Sequence, residues 1–138
     1  MKRQERDKLW PEMEICKVFR FSASHSLPHV AEGHPCKRLH GHNYRVEIIV
    51  RGERNPNTGF VMDFAEIARR FGPQIDALDH RHLNEREGLE NPTAENIVLW
   101  LMERSELKVA AAIRVWETDD CYAEAINHDG LYSGARRR

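Results

Sequence analysis

The chain has 138 residues with 21 basic and 22 acidic side chains, so no global field draws it to nucleic acid or to an anionic membrane. An apolar fraction of 41% beside 31% charge excludes an intrinsically disordered chain and suits one compact domain with a real hydrophobic core. Only three cysteines occur, no apolar leader region follows the charged start, and no stretch of about eighteen apolar residues appears, which together point to a reducing cytoplasm without export or membrane insertion.

Residues 1–12 and 128–138 read as flexible, solvated tails around a single domain at 13–127. From Met13 the odd positions Ile15, Phe19, Phe21, Ala23 and His25 predict a first strand with one buried face. Pro28, Gly33 and Pro35 punctuate a long loop, and the chain returns to a strand at Leu39. There His40, His42, Tyr44, Val46, Ile48 and Val50 share one parity, so the histidines point the same way as the apolar residues. The cluster NPNTG supplies a turn. Asp63 followed by Glu66 forms a capping-box-like helix start, with Ile67, Phe71, Ile75 and Leu78 as the core-facing stripe and Gly72-Pro73 as a kink or break. A loop through LDHRHLNEREGLENP leads to Thr93, a plausible N-cap for a second helix carrying Ile97, Val98 and Leu101. Val109, Ala111, Ile113 and Val115 share a strand face that ends on Glu117, and Asp119-Asp120 turns the chain into a last strand around Tyr122 to Ile126. The order is β-β-α-α-β-β, an α+β antiparallel sheet with two helices on one face.

Alternation makes His40 and His42 neighbours on one strand face, the separation at which a metal collects two imidazoles. His25 ends the buried face of the adjacent strand, so three neutral nitrogen donors can converge at one end of the sheet. Such a set suits Zn²⁺ and leaves a fourth position open for water or substrate. Cys36 could close that shell as a fourth ligand, stand beside the metal as a base, or be an inert thiol; spacing does not choose. Asp79-His80 is either a tuned proton-transfer pair or a helix C-terminal histidine placed there for the dipole. Glu117 puts a carboxylate at the end of an apolar row, where two parallel N–H bonds would suit an amino-pyrimidinone edge of the guanine or pterin kind; the alternative is a frayed strand end turned into solvent. His29, His34 and His82 read as loop packing, and Lys37-Arg38 as a solvated basic pair.

The segments CKRLHGHNY, GFVMDFAEI, LDHRHLN, ENPTAEN and VWETDDCYAE, in this order, resemble the 6-pyruvoyltetrahydropterin synthase family over about residues 13–127. Within it they look more like the bacterial 6-carboxy-5,6,7,8-tetrahydropterin synthases of queuosine biosynthesis. The resemblance implies the tunnelling fold (T-fold), whose subunits join sheets into a barrel as homo-oligomers, tetramers or hexamers, with active sites at subunit interfaces. It also implies zinc on His25, His40 and His42, Cys36 as proton acceptor, Asp79 and His80 as proton relay, Glu117 as pterin anchor, and Thr93 near the ring across an interface. The implied reaction converts 7,8-dihydroneopterin triphosphate to 6-carboxytetrahydropterin, acetaldehyde and triphosphate, a zinc-dependent lyase step. Three residues, Lys37, Arg38 and Leu39, separate Cys36 from H-G-H as in the carboxy synthases, whereas Asn43-Tyr44 looks like the pyruvoyl enzymes. The readings kept beside it are 6-pyruvoyltetrahydropterin synthesis and a non-catalytic zinc or pterin binding protein.

Overall fold

A computed structural model describes residues 12–104 and 109–129, and the backbone of 131–132. Two long strands, β1 (Met13–His25) and β2 (His40–Gly52), form its spine. They pair antiparallel without interruption from Met13 opposite Gly52 to His25 opposite His40. Helix α1 (Phe64–Asp76), a short β3 (Arg81–His82), helix α2 (Ala94–Arg104), β4 (Ala112–Thr118), β5 (Cys121–Ile126) and a short β6 (Leu131–Tyr132) follow. The sheet order is β3-β1-β2-β4-β5, with β6 pairing alongside β2. This is the expected β-β-α-α-β-β order with two additions that side-chain patterning does not announce. β3 pairs in parallel with Ala23 and Ser24, inside a stretch expected to be loop. β6 pairs in parallel with Arg51 and Gly52, inside the segment read as a tail. Both are two residues long, too short for any periodicity to register.

Strand parity decides which residues meet the helices. Phe21 and Ala23 of β1, Tyr44, Val46, Ile48 and Val50 of β2, and Ile113 and Val115 of β4 are all buried on one face. They share a core with Ile67, Phe71 and Ile75 of α1 and Ile97, Val98 and Leu101 of α2. Both helices therefore cover the same side of the sheet. The opposite, helix-free face is built from cross-strand polar and aromatic neighbours. Glu47 lies opposite Arg114 and Arg45 opposite Trp116, while Arg114 pairs with Glu124 and Trp116 with Tyr122.

The helix ends differ from expectation in detail. Asp63 caps α1 by accepting the Ala65 N–H at 2.8 Å. Glu66 does not reach back to complete a capping box; its carboxylate takes Arg69 and Arg70 one turn on, which pull its pKa down to about 2. Pro73 sits inside α1 without splitting it, in a last turn that closes through the Ala77 N–H on the Pro73 carbonyl. Thr93 does cap α2, its hydroxyl accepting the Asn96 N–H at 3.1 Å. Among the described residues no helix is long and apolar enough to cross a membrane.

Removing the cap by Asp63→Ala should cost about 1 kcal/mol of stability, read as a lower urea midpoint with an unchanged slope.

Candidate active site

Three imidazoles converge where β1 ends and β2 begins. His25 and His40 are the last cross-strand pair, and His42 lies opposite Ala23. Their donor nitrogens all fall within 4.8 Å of one another. His25 is fully buried, whereas His40 and His42 are partly exposed, so the cluster opens on one side. Gly41 between the two ligands runs close to the neighbouring strand: a Cβ there would stand 3.3 Å from the Ala23 carbonyl oxygen.

Main-chain carbonyls orient two of the rings. His25 Nδ1 meets the Pro92 carbonyl at 2.8 Å and His40 Nδ1 meets the Arg38 carbonyl at 2.7 Å. A carbonyl only accepts, so each Nδ1 carries the ring proton and each Nε2 is left with a lone pair. Those two Nε2 atoms face each other at 2.9 Å. Neither can donate to the other while both rings are neutral, and burial lowers the pKa of His25. A cation between them resolves the contact. Tetrahedral Zn²⁺ places nitrogen ligands about 3.3 Å apart, close to the spacing here. The residues fit a metal ion, and the carbonyl partners are the outer-shell contacts that metal-ligating histidines usually make.

Glu117 joins this group and does not turn into solvent. Its Oε1 lies 3.5 Å from His25 Nε2 and 3.6 Å from His42 Nε2. Burial lowers the pKa of His42 too, with the Glu117 carboxylate opposing that shift. Tyr44, 1% exposed, sits beneath the cluster: its hydroxyl is 3.3 Å from His25 Nδ1 and its ring stacks on Phe21 at 4.6 Å.

The Asp79-His80 pair is formed. Asp79 Oδ1 is 2.9 Å from His80 Nδ1 and also accepts the Ser22 N–H at 3.0 Å. The Ser22 amide, followed by His80, holds the Asp79 carboxyl below its usual pKa. His80 adopts a left-handed φ of 56°, unusual for a residue with a side chain, and its N–H donates to the Ser22 carbonyl at 2.6 Å. A groove of about 480 Å³ contains both His80 and His42, together with Ser22, Ser24 and Asn43. Of the three imidazole residues only His42 lines this groove; the strand residues Ser22, Ser24, Gly41 and Asn43 that flank it have the parity of the helix-free face.

Cys36 lies on the one-turn helix Pro35–Lys37, half-buried, and is not part of the metal-ligand group. Its carbonyl accepts the Leu27 N–H at 2.9 Å, which folds the 26–39 loop back on itself. His34 turns out to cap this short helix through the Cys36 N–H, and His82 Nδ1 meets the Ser24 hydroxyl at 3.1 Å. Lys37 is occupied by Glu32. Sequence reasoning missed Asn84 and Pro92. The Asn84 side chain exchanges two hydrogen bonds with the Ser26 backbone, at 2.9 and 2.8 Å, tying the loop after His25 to the loop before α2. Only the position of Asn84 and Pro92 within LDHRHLN and ENPTAEN could have hinted at this, since main-chain partners leave no side-chain pattern.

Fold and site together define an α+β protein with three converging imidazoles able to hold a metal ion and a separate histidine oriented by a carboxylate. The chain belongs to the 6-pyruvoyl tetrahydropterin synthase family, whose profile matches residues 14–127. It is 42% identical over 97 residues to a 6-carboxy-5,6,7,8-tetrahydropterin synthase of Synechocystis, covering 67% of this chain and 74% of that protein. It is 32% identical over 105 residues to a dihydroneopterin monophosphate aldolase of Pyrococcus furiosus, covering 72% and 89%. The solved structure of Caenorhabditis elegans 6-pyruvoyl tetrahydropterin synthase superposes with a TM-score of 0.77 at 26% identity, over 86% of this chain and 97% of that one.

Asp79 protonates less readily in the folded state than in the unfolded state, so its contribution to stability is present above its unfolded value near 3.8 and is lost as pH falls through the depressed folded value. Asp79→Ala should therefore melt below the parent by a steady margin from about pH 8 to about pH 5, with the gap closing below about pH 4. A gap that closes at neutral pH would contradict the assignment.

Proposed function

We propose that this chain is a 6-carboxy-5,6,7,8-tetrahydropterin synthase of queuosine (7-deazaguanine) biosynthesis. It would convert 7,8-dihydroneopterin triphosphate to 6-carboxytetrahydropterin, acetaldehyde and triphosphate as a cytoplasmic homo-oligomer. The observation that carries the reading is the convergence of His25, His40 and His42, with Glu117 against them, in a chain 42% identical to a protein of that name. The three-residue gap between Cys36 and His40 supports the same choice.

His25, His40 and His42 would hold zinc through Nε2, two of them locked by their carbonyl contacts. Zinc bound there supplies Lewis-acid polarisation of the substrate's side-chain hydroxyls, which makes the adjacent C–H protons more acidic. Cys36, lying outside the ligand group, is the proton acceptor for the side chain. His80 moves a second proton at the groove, with Asp79 fixing the ring by its bond to Nδ1 and leaving Nε2 toward the substrate. Glu117 anchors the pterin ring by accepting its paired N–H groups, and its position against His25 and His42 keeps the ring next to the metal. Thr93, whose hydroxyl already caps α2, approaches the ring from a neighbouring subunit.

A second reading is 6-pyruvoyltetrahydropterin synthesis, favoured by Asn43-Tyr44 after H-G-H and by the likeness to the Caenorhabditis elegans structure. Incubating the zinc-loaded protein with dihydroneopterin triphosphate and identifying the product by mass spectrometry separates the two. Carboxytetrahydropterin with acetaldehyde is the expected outcome, and a pyruvoyl product would reverse the choice.

Two substitutions should divide metal binding from proton transfer. His40→Ala should lower bound zinc by at least an order of magnitude in metal analysis. Cys36→Ala should keep the metal while turnover falls by roughly 10²- to 10⁴-fold. A Cys36→Ala protein with near-normal kcat and full metal would remove the thiol from the mechanism.

A further inference from the structure

Packing alone does not account for Tyr44. Its ring lies 4.6 Å from that of Phe21 at an interplanar angle of 8°, and it meets the rings of His25 and His42 edge-on at 6.1 and 5.5 Å. A phenylalanine would make every one of these contacts. Tyrosine adds a hydroxyl at a position that is 1% exposed, and a buried hydroxyl costs free energy unless a polar partner meets it. The partner is His25 Nδ1, 3.3 Å away.

The proton on that nitrogen fixes the sense of the contact. The Pro92 carbonyl, 2.8 Å from Nδ1, only accepts, so Nδ1 carries the hydrogen and the Tyr44 oxygen is a second, more distant acceptor beside it. The two acceptors come from different parts of the fold. Pro92 belongs to the loop before α2, whereas Tyr44 stands in the β1–β2 ladder directly opposite Phe21, the residue on which its ring is stacked. His25 lies four residues beyond Phe21 on that same strand, so the phenol oxygen and the imidazole are referred to one ladder. An imidazole turns about its side-chain bonds, and two acceptors at Nδ1 restrict that turning more than one does. His25 is also the fully buried member of the three, so protein contacts rather than solvent decide where its Nε2 points. Outer-shell partners of this kind fix the tautomer and orientation of a ligating histidine and weigh on its hold of the metal.

We infer that Tyr44 is a positioning residue of the metal site: its hydroxyl, beside the Pro92 carbonyl, holds the Nδ1–H tautomer and the ring plane of His25, aims Nε2 at the ion, and so sets how tightly the three histidines keep it. The inference rests on the metal-site part of the reading above and needs no pterin chemistry.

The test is Tyr44→Phe, which keeps the stack on Phe21 and removes only the oxygen. Zinc is titrated into wild type and variant against a chromophoric chelator, and the dissociation constant should rise about 10-fold in the variant. Loading with Co²⁺ instead should show ligand-field bands altered in position or intensity, a signature of changed ligand orientation that a loss of stability alone does not produce. Val46→Ala is the control: it truncates the core at the next inward position of β2, and should lower the melting temperature while leaving the zinc constant and the cobalt spectrum as in wild type. A Tyr44→Phe protein whose zinc constant and cobalt spectrum match those of wild type would overturn the inference, whatever product the enzyme forms. A wild type that turns over no pterin, beside a Tyr44→Phe protein that has lost zinc affinity, would remove the pterin reading and leave the role of Tyr44 in place.

Discussion

The uninterrupted antiparallel pairing of β1 with β2 is the constraint on which the rest of the molecule depends. It runs from Met13 opposite Gly52 to His25 opposite His40 with no bulge to absorb an error. Because side chains alternate across a sheet, a slip of one residue would throw Phe21, Ala23 and His25 onto the face opposite their partners. The same apolar row that buries against α1 and α2 therefore also aligns the metal-binding nitrogens. Core packing and convergence of the imidazoles are one geometric condition, and the core reaches the site directly through Tyr44, whose hydroxyl lies 3.3 Å from His25 Nδ1.

Around that strand pair the loops act through their main chain. The Pro92 and Arg38 carbonyls choose the tautomer of two imidazoles, the Ser22 amide and carbonyl hold Asp79 and His80, and Asn84 fastens the Ser26 backbone. Backbone groups are obligatory hydrogen-bonding partners and lose no side-chain entropy when they act as such. Main-chain groups thus brace His25, His40, Asp79 and His80, which come from three separate stretches of the chain. Burial disfavours the protonated form of His25 and His42, which leaves their nitrogens free for a metal ion, and the Glu117 carboxylate biases the site toward a cation.

Much of this was legible in the sequence because it is periodic. Parity alone placed His25, His40, His42 and Glu117 on the inward face, and the structure puts all four together. The helix stripe through Ile67, Phe71 and Ile75 and the caps at Asp63 and Thr93 follow from equally local rules. What escaped has no period. β3 and β6 are two residues each, held by hydrogen bonds that any residue could make. Asp79 and His80 being adjacent in sequence said nothing of whether their side chains meet; the left-handed backbone at His80 brings them together, and that conformation is imposed by Ser22, 58 residues earlier in the chain. Glu66 was read as a cap because the motif permits it, but two arginines within one helical turn compete for the same carboxylate and win on charge. The tunnelling-fold likeness came from five ordered motifs and not from physics.

One strand carries the reference points for both the Asp79-His80 pair and the three converging imidazoles. The Ser22 amide that fixes Asp79 and the imidazole of His25 are separated by three residues of β1, about 10 Å of nearly inextensible chain. β1 is thereby a ruler: the Asp79-His80 pair and the imidazole cluster cannot approach or separate without tearing the central ladder.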